Sequence, residues 1–342
     1  MPFNGPLFVV GMPRSGTKLL RTLLNQHPNI SILSVESEFL PSWQRRWASF
    51  GSLSERANFE KFYNWTTKLT YFYLYREEVG EQISARAWFE SCNGKFDIAT
   101  VFETLARHDT GTAKTTDVIW GDKSPSYVRS IPLLNSIYPD AKFIHIVRDV
   151  RDYAISLKRG FGKDPLRSAQ RWSEDVHEGN AQGKRLGDRY KLVRYEELVA
   201  APEITLKSLC TFLGIDFTSD LLRLKKPAEQ EFEQQRGAGT GRLDIISDNI
   251  YKWRNEKQTK LVREIEALSF ATLEEMGYEV DPKTQPRRLS EYSMAARQFA
   301  DGINILRSNT RFEFFEAIKF YGRAYWTGAP SHLFRAKKHP PK

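Results

Sequence analysis

Residues 7–24 read LFVVGMPRSGTKLLRTLL, and they restrict what the chain can fold into more than any other stretch. Leu7–Val10 is a short apolar run with two valines. The loop Gly11-Met12-Pro13-Arg14-Ser15-Gly16-Thr17 follows, and then Leu19, Leu20, Leu23 and Leu24 fall on one face of a helix. Strand, glycine loop and helix in this order make a phosphate cradle. Backbone N–H groups of the loop and the helix N-terminus converge on one spot, and the helix dipole adds positive potential there. Arg14 and Lys18 bring formal charge to the same place. The pattern departs from a Walker A loop, which closes Gly-Lys-Ser or Gly-Lys-Thr with the lysine over the terminal phosphates and the hydroxyl on magnesium. Here Thr17 precedes Lys18, and Arg14 sits two residues before Gly16. That order predicts an anion cradle that needs no metal.

Further strands are expected at Ile30–Val35, which runs into Glu36-Ser37-Glu38, and at Lys142–Val147, which ends in Arg148-Asp149-Val150-Arg151-Asp152. Tyr190–Arg194 is another, leading into Tyr195. Val118–Trp120 is only a brief apolar run before Gly121-Asp122-Lys123-Ser124-Pro125. Helical patterns lie between these segments, and a last one for the body covers about 258–276. Short apolar strands alternating with helices predict an α/β fold with a parallel sheet covered on both faces. Residues 42–115 read as a helical, aromatic-rich insertion. Its rings suit packing onto the sheet; lining an acceptor pocket is the sharper alternative.

The 342 residues are 40% hydrophobic and 27% charged, ordinary for a soluble globular protein. No apolar run approaches the roughly 20 residues that span a bilayer. The opening MPFNGPLFVV lacks a basic stretch before its apolar run, so no signal peptide and a cytoplasmic location are expected. Cys92 and Cys210 are the only cysteines, which suits a reducing compartment, though two cysteines could pair. The six histidines are scattered without metal-ligand spacing. Of the net charge of +9, residues 283–342 carry +8, with twelve Lys/Arg against four acidic residues. The basicity therefore belongs to an appendage, and the expected division is a body at 1–282 and a basic, aromatic-rich helical tail at 283–342. Pro282 and Pro286 mark the linker, and Phe314, Ile318, Tyr321 and Tyr325 fall near helical spacing. Such a tail suits docking onto the body, self-association or peripheral contact with an anionic membrane.

Three features sit at carboxyl ends of predicted strands, where ligands bind an open parallel sheet: the Arg14 loop, Glu36, and Arg148 with Ser156. A guanidinium fork and a hydroxyl suit a terminal phosphate, so Arg148 and Ser156 read as the far end of a two-headed nucleotide. At this point the sequence resembles the sulfotransferases that use 3′-phosphoadenosine 5′-phosphosulfate (PAPS). PRSGT at 13–17 resembles their 5′-phosphosulfate loop, and VRDVRDYAIS at 147–156 their 3′-phosphate motif. GMPRSGTKLLRTLLNQHPNI followed by ESEFLP looks like the tyrosylprotein sulfotransferases and the bacterial carbohydrate-type enzymes. GDKSP, VRYEELV and IYKW fall in the expected order, and the resemblance spans roughly residues 6–280.

The resemblance implies a P-loop NTPase-like three-layer fold, a central parallel sheet flanked by helices, with the helical C-terminal extension added. It implies transfer of the PAPS sulfuryl group to a hydroxyl acceptor, with release of the product PAP and no metal required. Glu36 matches the general base of the tyrosylprotein group, since a hydroxyl is a poor nucleophile until a base takes its proton. Glu38 falls where that group has arginine and is left with a supporting or acceptor-contact role. The leaving oxygen needs fixed positive charge, for which Arg14 and Lys123 are the candidates. Many cytosolic relatives carry lysine where this chain has Arg14, and a guanidinium stabilises charge rather than giving up its proton. Ser15, Gly16, Thr17 and Lys18 would hold the 5′-phosphosulfate end, and Arg148 and Ser156 the 3′-phosphate. Tyr195 matches a nucleotide-contacting tyrosine. Lys252 and Trp253 match a nucleotide-covering segment, although the spacing beyond Trp253 departs from the tyrosylprotein pattern. Arg236, in a glycine-rich stretch, could close over the nucleotide.

The expected acceptor is a sugar, lipid or other small hydroxyl compound rather than a protein tyrosine, because the animal tyrosine enzymes are anchored Golgi proteins with disulfides. Nucleic acid is not an expected partner. Two other readings stay open: a P-loop nucleotide-dependent phosphotransferase or kinase, and a non-catalytic anion-binding module of a membrane surface.

Overall fold

A computed structural model describes residues 3–113, 117–223, 250–255 and 259–308. Five strands form one parallel sheet: β1 (Leu7–Gly11), β2 (Ile30–Ile32), β3 (Ile119–Lys123), β4 (Lys142–Val147) and β5 (Tyr190–Arg194). Their spatial order is β2-β3-β1-β4-β5. Leu7 pairs with both Gly121 and Lys142, so β1 is central, and every residue of β1 and β3 is buried. This is the parallel sheet covered on both faces that the alternation of apolar strands and helices predicts, in the P-loop NTPase-like form that the resemblance implies.

The pleat of β1 divides the core. Leu7 and Val9 join Ile144 and Ile146 under α1 (Thr17–Leu24), α10 (Tyr195–Ala200) and α11 (Pro202–Leu213). Phe8 and Val10 point the other way, with Phe143, Trp120 and the larger helical layer. That layer contains α2 (Leu40–Arg46), α3 (Arg56–Thr66), α4 (Thr70–Glu78), α5 (Ala85–Ser91), α6 (Ile98–Asp109) and α7 (Ile131–Ile137). It also contains α8 (Val150–Phe161), α9 (Pro165–Lys184) and α12 (Thr259–Glu275). The aromatic insertion packs on itself: Trp43 stacks on Phe39 at 4.5 Å and meets Phe62 edge-on at 5.0 Å, and Trp88 is completely buried. Each such pair adds about 0.5–1.5 kcal/mol beyond the area it buries.

The strand expected over 30–35 stops at Ile32. Leu33 still donates to the Gly121 carbonyl (3.0 Å), and then the chain leaves the sheet toward Glu36. The brief apolar run at 118–120 proves to be the start of β3, which lies between β2 and β1. Beyond the body, α13 (Glu291–Ser308) docks on α9: Asp301 accepts from the Asp164 N–H (2.7 Å) and from Arg167 (3.0 Å). Arg236 and the tail residues Phe314, Ile318, Tyr321 and Tyr325 lie outside the described residues. Cys92 and Cys210 are both buried free thiols. No described helix is long and apolar enough to cross a membrane.

Candidate active site

Each strand of the sheet delivers one of the predicted site residues at its carboxyl end. The loop after β1 carries Arg14 to Lys18, the segment after β2 carries Glu36, and β3 ends on Lys123. Arg148 follows β4, and Tyr195 opens α10 directly after β5. One register thus gathers residues that lie as far apart in sequence as 14 and 195.

The loop after β1 is shaped for an anion. Ser15 N–H donates back to the Met12 carbonyl (3.1 Å), and Arg14 (φ 72°) and Gly16 (φ 89°) are both left-handed. Alternation of backbone hand turns successive N–H groups inward, which makes an anion-binding concavity. Gly16 is required on two counts, since a Cβ there would stand 2.3 Å from Cδ2 of Tyr195. Ser15 is fully buried, and its Oγ has no hydrogen-bond partner among the described residues. Leaving a buried hydroxyl unsatisfied costs about 1–3 kcal/mol, which an anion in the cradle would offset by accepting from it. The residues present therefore fit a phosphosulfate end.

Arg148 joins this loop to the second motif. It is 6% exposed, and its Nη1 donates to the Arg14 carbonyl (3.3 Å). Its guanidinium lies 4.7 Å from the centre of the Tyr195 ring, and its Nη2 is 3.7 Å from Asp152 Oδ2. Burial pushes the Asp152 carboxyl up, against the pull of Arg148. Ser156 is half-buried one helical turn beyond Asp152, on the same stripe of α8. Trp253 N–H donates to Asp152 Oδ1 (2.9 Å), and its ring covers the Arg151 guanidinium at 3.8 Å. Its buried Nε1 has no partner among the described residues. Lys252, in contrast, is exposed.

The turn after β4 is braced from beneath. Asp149 caps α8 and forks Arg151, whose Nη1 continues to Glu266 on α12 (2.7 Å). Asp149 N–H donates to Glu196 (3.0 Å), and Glu196 accepts from the Tyr278 hydroxyl (2.8 Å). Burial raises the Glu196 carboxyl.

Glu36 and Lys123 form an ion pair, with Lys123 3% exposed and the Glu36 side chain 22% exposed. The residues that fix them were not singled out from the sequence. Asp122, fully buried, accepts from Ser37 Oγ (2.7 Å) and Ser124 Oγ (2.9 Å). Ser37 Oγ also meets the Tyr127 hydroxyl (2.8 Å), which accepts from Leu40 N–H (3.1 Å). Glu38 N–H donates to Ser124 Oγ (3.3 Å), and Glu38 is left-handed at φ 52°. Burial pushes Asp122 up to about 6, although the serine donors act in the opposite direction. The available signal was the polar string Asp122-Lys123-Ser124 at a strand end opposite Ser37, of which only Lys123 was taken.

A cleft of about 670 Å³ opens beside the cradle. Gly11, Met12 and Pro13 form one edge, Glu38 another, and Tyr153, Leu157 and Phe161 of α8 a wall. Those three recur every four residues and lie about 100° round α8 from the Asp152–Ser156 stripe. The aromatic insertion contributes only Ser42 and Arg45 to this cleft.

The parallel sheet, its glycine loop and the second cationic loop beyond β4 define an α/β protein of the P-loop type. A model of the Sulfotransferase family matches residues 6–219, and the chain belongs to that family. It is 24% identical over 268 residues to the protein-tyrosine sulfotransferase of Drosophila melanogaster, covering 76% of this chain and 47% of that protein. The chain thus spans about half the length of that relative. It is 25% identical over 298 residues to protein-tyrosine sulfotransferase 1 of Danio rerio, with 82% and 73% covered. The sulfotransferase domain of the Synechococcus PCC 7002 olefin synthase superposes with a TM-score of 0.52 at 25% identity, over 82% of this chain and 98% of that one. The sulfotransferase domain of the curacin biosynthetic pathway, 21% identical, shares the fold with a TM-score of 0.54, over 82% and 100%.

Proposed function

We propose that the protein transfers the sulfuryl group of PAPS to a hydroxyl acceptor and releases PAP. The observation that carries this reading is the bond from Arg148 to the Arg14 carbonyl, which joins the two anion motifs of a Sulfotransferase family member into one site. Two phosphate ends of one nucleotide fit such a pair better than a lone triphosphate does. The nucleotide supplies a sulfuryl group whose bond to a phosphate oxygen breaks as the acceptor oxygen enters in line. The chain's own part is to hold, align and compensate charge.

Ser15, Gly16, Thr17 and Lys18 bind the phosphosulfate end through backbone N–H groups and the α1 N-terminus, and Arg148 and Ser156 bind the 3′-phosphate. Tyr195 closes over Gly16, and Lys252 and Trp253 cover the nucleotide from the far side. Glu36 takes the proton of the acceptor hydroxyl as the new bond forms. Lys123, in contact with Glu36, and Arg14 present positive charge to the oxygen that leaves. Asp122 and its hydroxyl partners hold the Glu36 segment against the end of β3, so base and cation keep one relative position.

The acceptor is a sugar, lipid or other small hydroxyl compound. The tyrosine sulfotransferase relatives make a tyrosine hydroxyl the rival acceptor. Incubation with PAPS and a panel of sugars, lipids, phenols and tyrosine peptides, read by mass spectrometry, tests both. A sulfate ester on a panel member, formed in EDTA, supports the reading. PAPS left intact throughout, with phosphoryl transfer from ATP instead, would replace it with a kinase.

A further inference from the structure

The cleft beside the cradle is unusually rich in cations for a site that also has an apolar wall. Arg45, Arg129, Lys163, Arg167 and Arg171 line it, against two carboxylates, Glu38 and Asp175. Asp175 is engaged, paired with Arg129 and 3.9 Å from Arg171, and Arg167 is held by Asp301. Burial and then the neighbouring Arg171 push Lys163 down to about 8, with Arg167 adding to the shift and Asp301 opposing it. Burial and then Arg171 lower Arg167 as well, against the pull of Asp301. Cations crowded enough to depress one another are relieved when an anion enters between them.

The cleft is also completed from outside the family match, which ends at residue 219. Met294 and Gln298, four apart on α13, form part of its wall. The helix is clamped there by Arg297 to Asp164 and by Asp301 to Arg167 and the Asp164 N–H. Those clamps sit at the start of α9, the helix that also carries Arg167 and Arg171.

We propose that this cleft is the acceptor site and that it selects a small hydroxyl compound bearing an anionic group, which the α9 cations grip while α13 forms the outer wall. The apolar stripe of Tyr153, Leu157 and Phe161 receives the body of the acceptor, and the hydroxyl end points to the Glu38 edge, two residues from Glu36. The proposal rests on the sulfotransferase reading for the hydroxyl, but the anion preference is a binding property that can be measured without turnover.

The test is calorimetric titration of the full chain with 4-hydroxyphenylacetate and with 4-hydroxyphenylacetamide, which share ring, hydroxyl and shape while the amide lacks the negative charge. The acid is expected to bind about tenfold or more tightly than the amide, the size of a charge-assisted hydrogen bond. Arg171→Gln should erase most of that ratio. Gln298→Glu, an exposed substitution on α13, should lower the affinity for the acid several-fold by placing a like charge in the wall. Equal binding of acid and amide, binding of neither, or a ratio that Arg171→Gln leaves intact overturns the anion grip. Unchanged affinity in Gln298→Glu overturns the role of α13. Failure of the sulfotransferase reading would show differently, as the acid binding tightly with no sulfate ester formed from PAPS.

Discussion

Glu36 and Lys123 meet as an ion pair where strands β2 and β3 end, and this contact decides what each can do. A carboxylate held by an ammonium is fixed in place, and this one keeps part of its side chain exposed. In the proposed reaction Glu36 would therefore take its proton at a position set by Lys123. Glu36→Gln keeps the shape and a polar contact to Lys123 but removes the proposed base. Its kcat should fall by about 10²–10⁴-fold, the usual worth of a positioned general base, with PAP affinity nearly unchanged. Steady-state kinetics with calorimetry on the same variant check this, and an unchanged kcat would put the base elsewhere. Glu36 was legible because it follows an apolar run by a few residues. Its contact with Lys123 was not, because 87 residues separate the two and only the sheet register joins them.

Among the elements, β3 shows most clearly how local reading falls short. IWGDK holds two polar residues and a glycine in five positions, so propensity reads only its first two residues as strand. Tertiary demands explain the rest. Gly121 allows the close approach of β1, since a Cβ there would lie 2.4 Å from the Leu7 carbonyl. Asp122 anchors the Glu36 segment, and Lys123 belongs to the site. By contrast β1 and β4 are buried on both faces and carry apolar runs that any reading finds, broken in β4 only by His145 and its opening Lys142. Asp122 also predicts a pH signature. Its folded value is about 6, above the ordinary carboxyl value of 3.8. A raised folded value means the stabilising contribution is full at low pH and is lost as pH rises through 6. Relative to Asp122→Asn, the wild type should lose about 2 kcal/mol of unfolding free energy between pH 4 and pH 7. Urea unfolding at a series of pH values measures the difference, and a pH-independent gap would contradict the buried carboxylate.

For the whole molecule, the fold class and both anion motifs were readable in the sequence, because each motif is local and sits at the end of an apolar strand. The cleft was not. Two of its cations, Arg167 and Arg171, lie one turn apart on α9 and read as a solvated helix surface until α13, over a hundred residues later, comes to lie beside them. The buried chain of Asp149, Arg151 and Glu266 was equally hidden, since it ties α8 to α12 across 115 residues. Glu266 also accepts from the Asp281 N–H (2.9 Å) and from Thr284 Oγ1 (2.7 Å), so it fastens the segment leading to α13. Glu266→Ala should cost about 3–5 kcal/mol, because it leaves the Arg151 charge buried with one partner fewer. Denaturant unfolding reads that loss, and a change below 1 kcal/mol would show that the network does not hold the molecule together.

The central claim is that two anion motifs, joined through Arg148, form one nucleotide site for a PAPS-type donor. Calorimetric titration with PAP in EDTA, on the wild type and on Arg148→Ala, tests it most directly. The account predicts that PAP binds without metal and that the variant loses about 2–4 kcal/mol of binding free energy. Equal PAP affinity in the two proteins, or tight magnesium-dependent binding of ATP with none of PAP, would contradict it.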